Sequence, residues 1–170
     1  NTAAVPEPVE ADGARQVAAL LYTSGTTGSP KGVMLTHRNI LFNAAVTQVT
    51  RAPTPADQIY GVLPMSHIVG FSIILAASLM AGSTVHLVPR YDPAAFVAAV
   101  DAGTVTMLFG VPATYQRLLE HKAVAGLEAL PRGRLRMLFV AGAPLDPALK
   151  RQVEAEFGLP LRNGYGITEC

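Results

Sequence analysis

From residue 17 onward, short apolar runs alternate with helix-length amphipathic segments, and this alternation constrains the fold more than any other feature. Residues 17–22, 33–35, 59–63, 84–88, 104–109, 135–140 and 161–165 read as strands, bounded by glycine, proline or hydroxyl-rich turns. Between them, Thr36 can cap a helix that carries Ile40, Leu41, Ala44 and Ala45 to near Thr50. Asp92 followed by Pro93 is an N-cap with proline at the first helical position, and Asp146 followed by Pro147 repeats the signal. The first of these helices carries Phe96, Val97 and Val100 on one side and the second Leu149, Val153 and Phe157. Pro112 opens another, with Tyr115, Leu118 and Leu119 on one side. The apolar run 68–81 is too long for a strand and predicts a buried helix closed by Gly82. Strands alternating with helices predict an α/β architecture with a largely parallel sheet. In such sheets ligands sit at the carboxyl ends of the strands, so the loops after Tyr22, Leu63, Phe109, Val140 and Leu161 are where chemistry is expected.

Composition narrows the function classes. Half of the 170 residues are hydrophobic and 15% are charged, enough apolar material for a buried core. Thirteen basic against twelve acidic residues, with no basic run, give no electrostatic footprint for nucleic acid or an anionic membrane. One cysteine, Cys170, excludes an internal disulfide framework and a cysteine metal site. The strongest apolar stretch, 68–82, is interrupted by Gly70, Ser72 and Ser78 and is too short to span a bilayer. Residues 1–15 carry Glu7, Glu10 and Asp12 with no apolar core, so they do not read as a signal peptide. The expectation is a soluble, cytoplasmic protein with no nucleic-acid partner and no transmembrane segment.

The segment Thr23-Ser24-Gly25-Thr26-Thr27-Gly28-Ser29-Pro30-Lys31-Gly32 follows the first strand. Glycines let successive backbone N–H groups point into one concavity, hydroxyls add neutral donors, and a lysine brings a mobile charge to phosphate oxygens. The P-loop template does not fit, because Pro30 precedes Lys31 and Gly32 stands where serine or threonine should be. Composition alone fits a flexible polar turn equally well. The order of residues decides: 21–33 closely resembles the signature of the adenylate-forming (AMP-binding) enzymes, which include acyl- and aryl-CoA synthetases, peptide-synthetase adenylation domains and luciferases. A second segment, Asn163-Gly164-Tyr165-Gly166-Ile167-Thr168-Glu169, resembles another motif of that family.

The resemblance implies a set of roles. Thr23, Ser24, Gly25, Thr26, Thr27, Gly28 and Lys31 would hold the ATP phosphates. Asn163, Gly164, Tyr165 and Gly166 would border the nucleotide, with Tyr165 near adenine, Thr168 on the α-phosphate and Glu169 holding Mg²⁺. Lys31, Thr168 and Glu169 are thereby the implied catalytic residues. Ala141, Gly142 and Ala143 resemble the small-residue segment whose backbone lies against adenine, although a tight strand-to-helix turn explains them too. His67, Gly110 and Val111 fall in segments that resemble walls of the acyl pocket. ATP, Mg²⁺ and coenzyme A are the implied cofactors and co-substrate.

The branch is read from what is absent. Residues 66–71 contain no acid to neutralise an amino-acid ammonium, and Ile167 stands where peptide-synthetase domains usually carry proline. Both features favour a fatty or aromatic carboxylic acid, activated as an acyl-adenylate and passed to CoA. An amino-acid adenylation domain and a non-catalytic nucleotide-binding module remain the alternatives. Residues 1–16, rich in alanine, proline and acidic groups, read as a linker or frayed segment, and the resemblance implies that 17–170 is the central portion of an AMP-binding domain, its small C-terminal domain absent. Alone, such a fragment is expected to be inactive and to self-associate through uncovered apolar surface.

Overall fold

The computed structural model describes residues 11–23 and 30–169. Its centre is a five-stranded, wholly parallel sheet of order β4-β3-β5-β6-β7, formed by β3 (Gln58–Gly61), β4 (Thr84–Leu87), β5 (Met107–Gly110), β6 (Met137–Val140) and β7 (Leu161–Asn163). Every residue of β5 (MLFG) and β6 (MLFV) is buried, as expected for parallel strands covered on both faces. One face carries Tyr60, Leu108, Leu138, Val140 and Leu161. It packs against Phe96 and Val100 of α3 (Pro93–Asp101), Tyr115 and Leu118 of α4 (Pro112–Val124), and Val153 and Phe157 of α5 (Pro147–Phe157). The other face carries Ile59, Met107, Phe109, Met137, Phe139 and Ala141, covered by Ile74.

The caps anticipated from sequence form. Asp92 Oδ1 accepts from Ala94 N at 2.9 Å and Asp146 Oδ1 accepts from Ala148 N at 2.8 Å, each with proline in the first turn. Thr36 and Asn39 make a reciprocal capping box at the start of α1 (His37–Arg51). Gly82 and Gly158 close their helices in the left-handed region, with φ of 68° and 60°.

Two elements differ from the expectation. β1 (Val17–Thr23) and β2 (Lys31–Thr36) do not join the parallel sheet; they pair with each other, antiparallel, as a separate ribbon. Its inner residues Ala19, Leu21, Val33 and Leu35 pack with Ile40 and Ile68, leaving Leu20, Tyr22 and Met34 exposed. Residues 12–16 fold back on α1, where Arg38 N donates to Gly13 O and His37 N to Gln16 O. The expected helix over 68–81 is a π-helical segment, Val69–Ala76, that runs into a short α2 (Ala77–Ala81). Gly70 makes the entry to this segment possible, since a Cβ there would lie 2.1 Å from the Pro64 carbonyl oxygen. Leu79 and Met80 at its end are exposed, so only the first part is a core helix.

At the amino edge of the sheet, Asp57 is 2% exposed and takes five hydrogen bonds. Arg136 grips it with Nε and Nη2 at 2.7 and 2.6 Å, Thr106 donates at 2.8 Å, and Thr54 donates through N and Oγ1. This knot ties together the amino ends of β3, β5 and β6 and leaves the carboxyl edge free for ligands.

Candidate functional site

The carboxyl edge brings together backbone from three distant stretches. Gly110 on β5 lies beside Val140 on β6, and Val140 beside Asn163 on β7. Beyond the strand ends, Ala141 N donates to Gly110 O at 3.1 Å and Gly164 N to Val140 O at 2.8 Å. Segments 110–111, 141–143 and 163–164 therefore stand side by side, in a row that sequence reading placed on three separate loops. Small residues are needed along this row. A Cβ on Gly110 would sit 2.9 Å from Thr114 Cβ, and one on Gly164 would sit 2.2 Å from Phe139 Cζ. Gly142 has φ of +85°, a conformation that residues with a side chain rarely adopt. Gly142 and Ala143 are exposed and Ala141 is buried, so the chain offers bare backbone at the surface here.

A cavity of about 340 Å³ lies next to the start of the π-helical segment, lined by Leu21, Tyr22, Thr23, Ser66, His67, Ile68 and Thr168. It collects Thr23 from the end of β1, His67 from the turn after β3, and Thr168 from the segment after β7. His67 is held by its neighbours. Its N–H donates to Pro64 O at 3.0 Å, its carbonyl accepts from Phe71 N at 2.9 Å, and its Nδ1 accepts from Val69 N at 3.4 Å. An accepting Nδ1 leaves Nε2 to carry the proton in the neutral ring. The stretched turns that begin at Val69, directly after this histidine, are of a kind often found at functional sites.

Lys31 opens β2 as the cross-strand neighbour of Thr23, so these two residues close the base of the glycine-rich loop. Ser24, Gly25, Thr26, Thr27 and Gly28 lie outside the described residues. Tyr165 is 97% exposed and presents an entire ring face. Glu169 is exposed, and among the described residues no group of three or more His, Cys, Asp or Glu could hold a metal ion. One carboxylate fits a Mg²⁺ that keeps water and phosphate oxygens for its remaining positions; it does not fit a cage made wholly of protein.

Lys31, Gly110, Val111, Glu169 and the 141–143 segment do not line the cavity itself. Sequence reading gave Ser66 and Tyr22 no role although both line it; their position next to motif residues was the available signal. A larger concavity of about 500 Å³, between α3 and α4, is lined by Ala94, Val97, Asp101, His121 and Leu130 among others, and by none of the residues singled out above.

The chain is similar to known CoA ligases in sequence and in fold. The chain is 35% identical over 158 residues to a feruloyl-CoA synthase of Amycolatopsis sp, covering 93% of this chain and 31% of that protein. It is 32% identical over 161 residues to a long-chain-fatty-acid–CoA ligase of Bacillus subtilis, covering 94% and 28%. The chain thus spans about a third of the length of the curated relatives it matches. Its fold matches a malonyl-CoA ligase solved as a ternary product complex with methylmalonyl-CoA and AMP bound. That match has a TM-score of 0.83 at 30% identity and covers 97% of this chain and 35% of that one. The family model described as AMP-binding enzyme matches residues 1–170. With that model spanning the whole chain and relatives at 32–35% identity over nine-tenths of it, the chain belongs to the AMP-binding enzyme family.

Proposed function

We propose that the whole protein is an ATP-dependent acid–thiol ligase that converts a carboxylic acid to its CoA thioester. The observation that carries this reading is the cavity in which Thr23, His67 and Thr168, far apart in sequence, meet. The names of the relatives support CoA as acceptor.

In the first step the substrate carboxylate oxygen attacks the α-phosphorus of ATP. The bond between the α-phosphorus and the α,β-bridging oxygen breaks, and acyl-adenylate and pyrophosphate form. Charge grows on the α-phosphate oxygens and on the leaving pyrophosphate, so fixed donors there lower the barrier. The Thr168 hydroxyl donates to the α-phosphate, while Lys31, Thr23, Ser24, Gly25, Thr26, Thr27 and Gly28 hold the β- and γ-phosphates. Tyr165 and the backbone of Ala141, Gly142 and Ala143 flank adenine, with Asn163, Gly164 and Gly166 shaping the turn beside it. Glu169 would hold Mg²⁺, which neutralises phosphate charge when bound. His67, Gly110 and Val111 border the acyl group. In the second step the CoA thiolate displaces AMP from the acyl carbon.

ATP–pyrophosphate exchange by the full-length protein, run against fatty, aryl and amino acids, tests this. Exchange stimulated by carboxylic acids that carry no α-ammonium, and lowered about a hundredfold or more by Thr168→Ala, is the expected result. Stimulation by amino acids alone would contradict the CoA-ligase reading.

A further inference from the structure

The sheet face that carries Met137, Phe139 and Ala141 also carries two arginines. Arg51, the last residue of α1, lays its guanidinium carbon 4.2 Å from the centroid of the Phe139 ring. Arg162 on β7 is the register partner of Phe139 on β6. The preceding pair, Leu138 and Leu161, lies in the core on the helix α3–α5 side, so strand alternation puts Arg162 on the same face as Phe139. Arg51 Nη1 donates to Thr47 Oγ1 at 3.2 Å and Thr50 Oγ1 at 3.1 Å, but its Nε–H is buried without an acceptor. Neither arginine belongs to an ion pair among the described residues.

A packing role explains only part of this. Stacking on Phe139 anchors Arg51, yet it gives no reason for a second cation on the same face and leaves a buried donor unmet. Burial, and after it the charge of Arg162, hold the Arg51 guanidinium below its ordinary pKa, though a guanidinium there stays charged. What both groups lack is a planar anion, and the guanidinium fork matches a carboxylate in geometry as well as charge.

We propose that Arg51 and Arg162 bind a carboxylate, the distal acid group of a substrate whose reacting carboxylate lies at the carboxyl edge of the sheet. This rests on the acid-activating reading above and names its substrate class as a short diacid. Ala141, at that edge, and Phe139, beneath Arg51, lie on one face two strand residues apart, about 7 Å along the strand. A diacid of the size of glutarate or adipate matches that descent; a long alkyl chain would drive methylene groups against two charges. The Phe139 ring also touches the position of Gly164, so the arginine pair lies one ring away from the segment that leads to Thr168.

Two measurements decide it. In ATP–pyrophosphate exchange by the full-length protein, glutarate and adipate should exceed valerate and caproate at least tenfold in kcat/KM. Arg51→Met and Arg162→Met should each lower the diacid values at least tenfold, mainly through KM, and change the monoacid values less than twofold. Equal use of monoacids, or an equal loss for all acids in the variants, overturns the proposal. Independently, the Arg51 Nε–H resonance of the full-length protein should shift saturably with glutarate but not with valerate, and not in Arg162→Met. Absence of a saturable shift overturns the site. If no acid supports exchange while the shift is saturable and depends on Arg162, the ligase reading falls and the carboxylate site stands.

Discussion

Gly164 shows how closely single residues are fitted at the sheet edge. A methyl group there would lie 2.2 Å from Phe139 Cζ, and the ring cannot easily retreat, since it packs against Phe109 at 5.5 Å and carries Arg51 on one face. Gly164→Ala is therefore expected to cost about 1–3 kcal/mol, read as a lower urea midpoint at unchanged slope. Gly166→Ala is the control: nothing lies within 4 Å of the added carbon, and its φ is not positive, so the midpoint should hold. An equal loss in both variants would contradict the packing account. At this scale the sequence was readable only in part. The small residues at 141–143 announce a close approach of backbone, because nothing else favours them after a strand. The partner of Gly164 was not readable, because Phe139 reaches it only through the pairing of β6 with β7. Arg51 and Arg162 were silent for the same reason: their shared face exists only once the register is set.

Helix ends were the most legible elements, because an aspartate before proline acts within three residues of itself. Both such caps form as read from the sequence. Strands came out shorter than their apolar runs, since residues such as Val105 and Leu135 are buried beyond the ladder ends. The antiparallel ribbon was legible but unread: β1 and β2 are joined by residues 24–30, whereas a parallel crossover needs about a dozen residues or more. The π-helical turns left no trace in an apolar run without periodicity. The Asp57 knot could not be anticipated either, since Thr106 and Arg136 lie 49 and 79 positions away.

That knot predicts the response of the strands to acid. Burial alone would raise the Asp57 pKa, but the Arg136, Thr106 and Thr54 hydrogen bonds outweigh it and hold the carboxyl well below its usual range. A carboxylate lowered in the folded state stabilises above its unfolded pKa of about 4 and loses that contribution as pH falls toward the folded value. Asp57→Asn should cost about 2–3 kcal/mol at pH 7, less than a fully buried pair would because the Arg136 side chain is 39% exposed. The difference between wild type and variant, measured by urea unfolding, should shrink steadily below pH 4. A difference that is constant from pH 7 to pH 3 would contradict the assignment.

For the molecule as a whole, the two motif segments were legible because each is contiguous, and the alternating pattern gave the sheet that separates them. Their meeting in one cavity with His67 was not legible, since it depends on how the ribbon, the π-helical segment and β7 pack. Among the described residues no helix is long and apolar enough to cross a membrane, and the buried apolar residues cluster on the two sheet faces and under the ribbon. We propose that the cavity and the bare-backbone edge together form the acyl-adenylate site. A crystal structure of the full-length protein with a sulfamoyl analogue of an acyl-adenylate tests it directly. The expected result is the sulfamoyl group at the Thr168 hydroxyl, adenine between Tyr165 and the 141–143 backbone, and the acyl carbonyl near His67. An analogue found instead in the concavity between α3 and α4, or adenine away from 141–143, would contradict it.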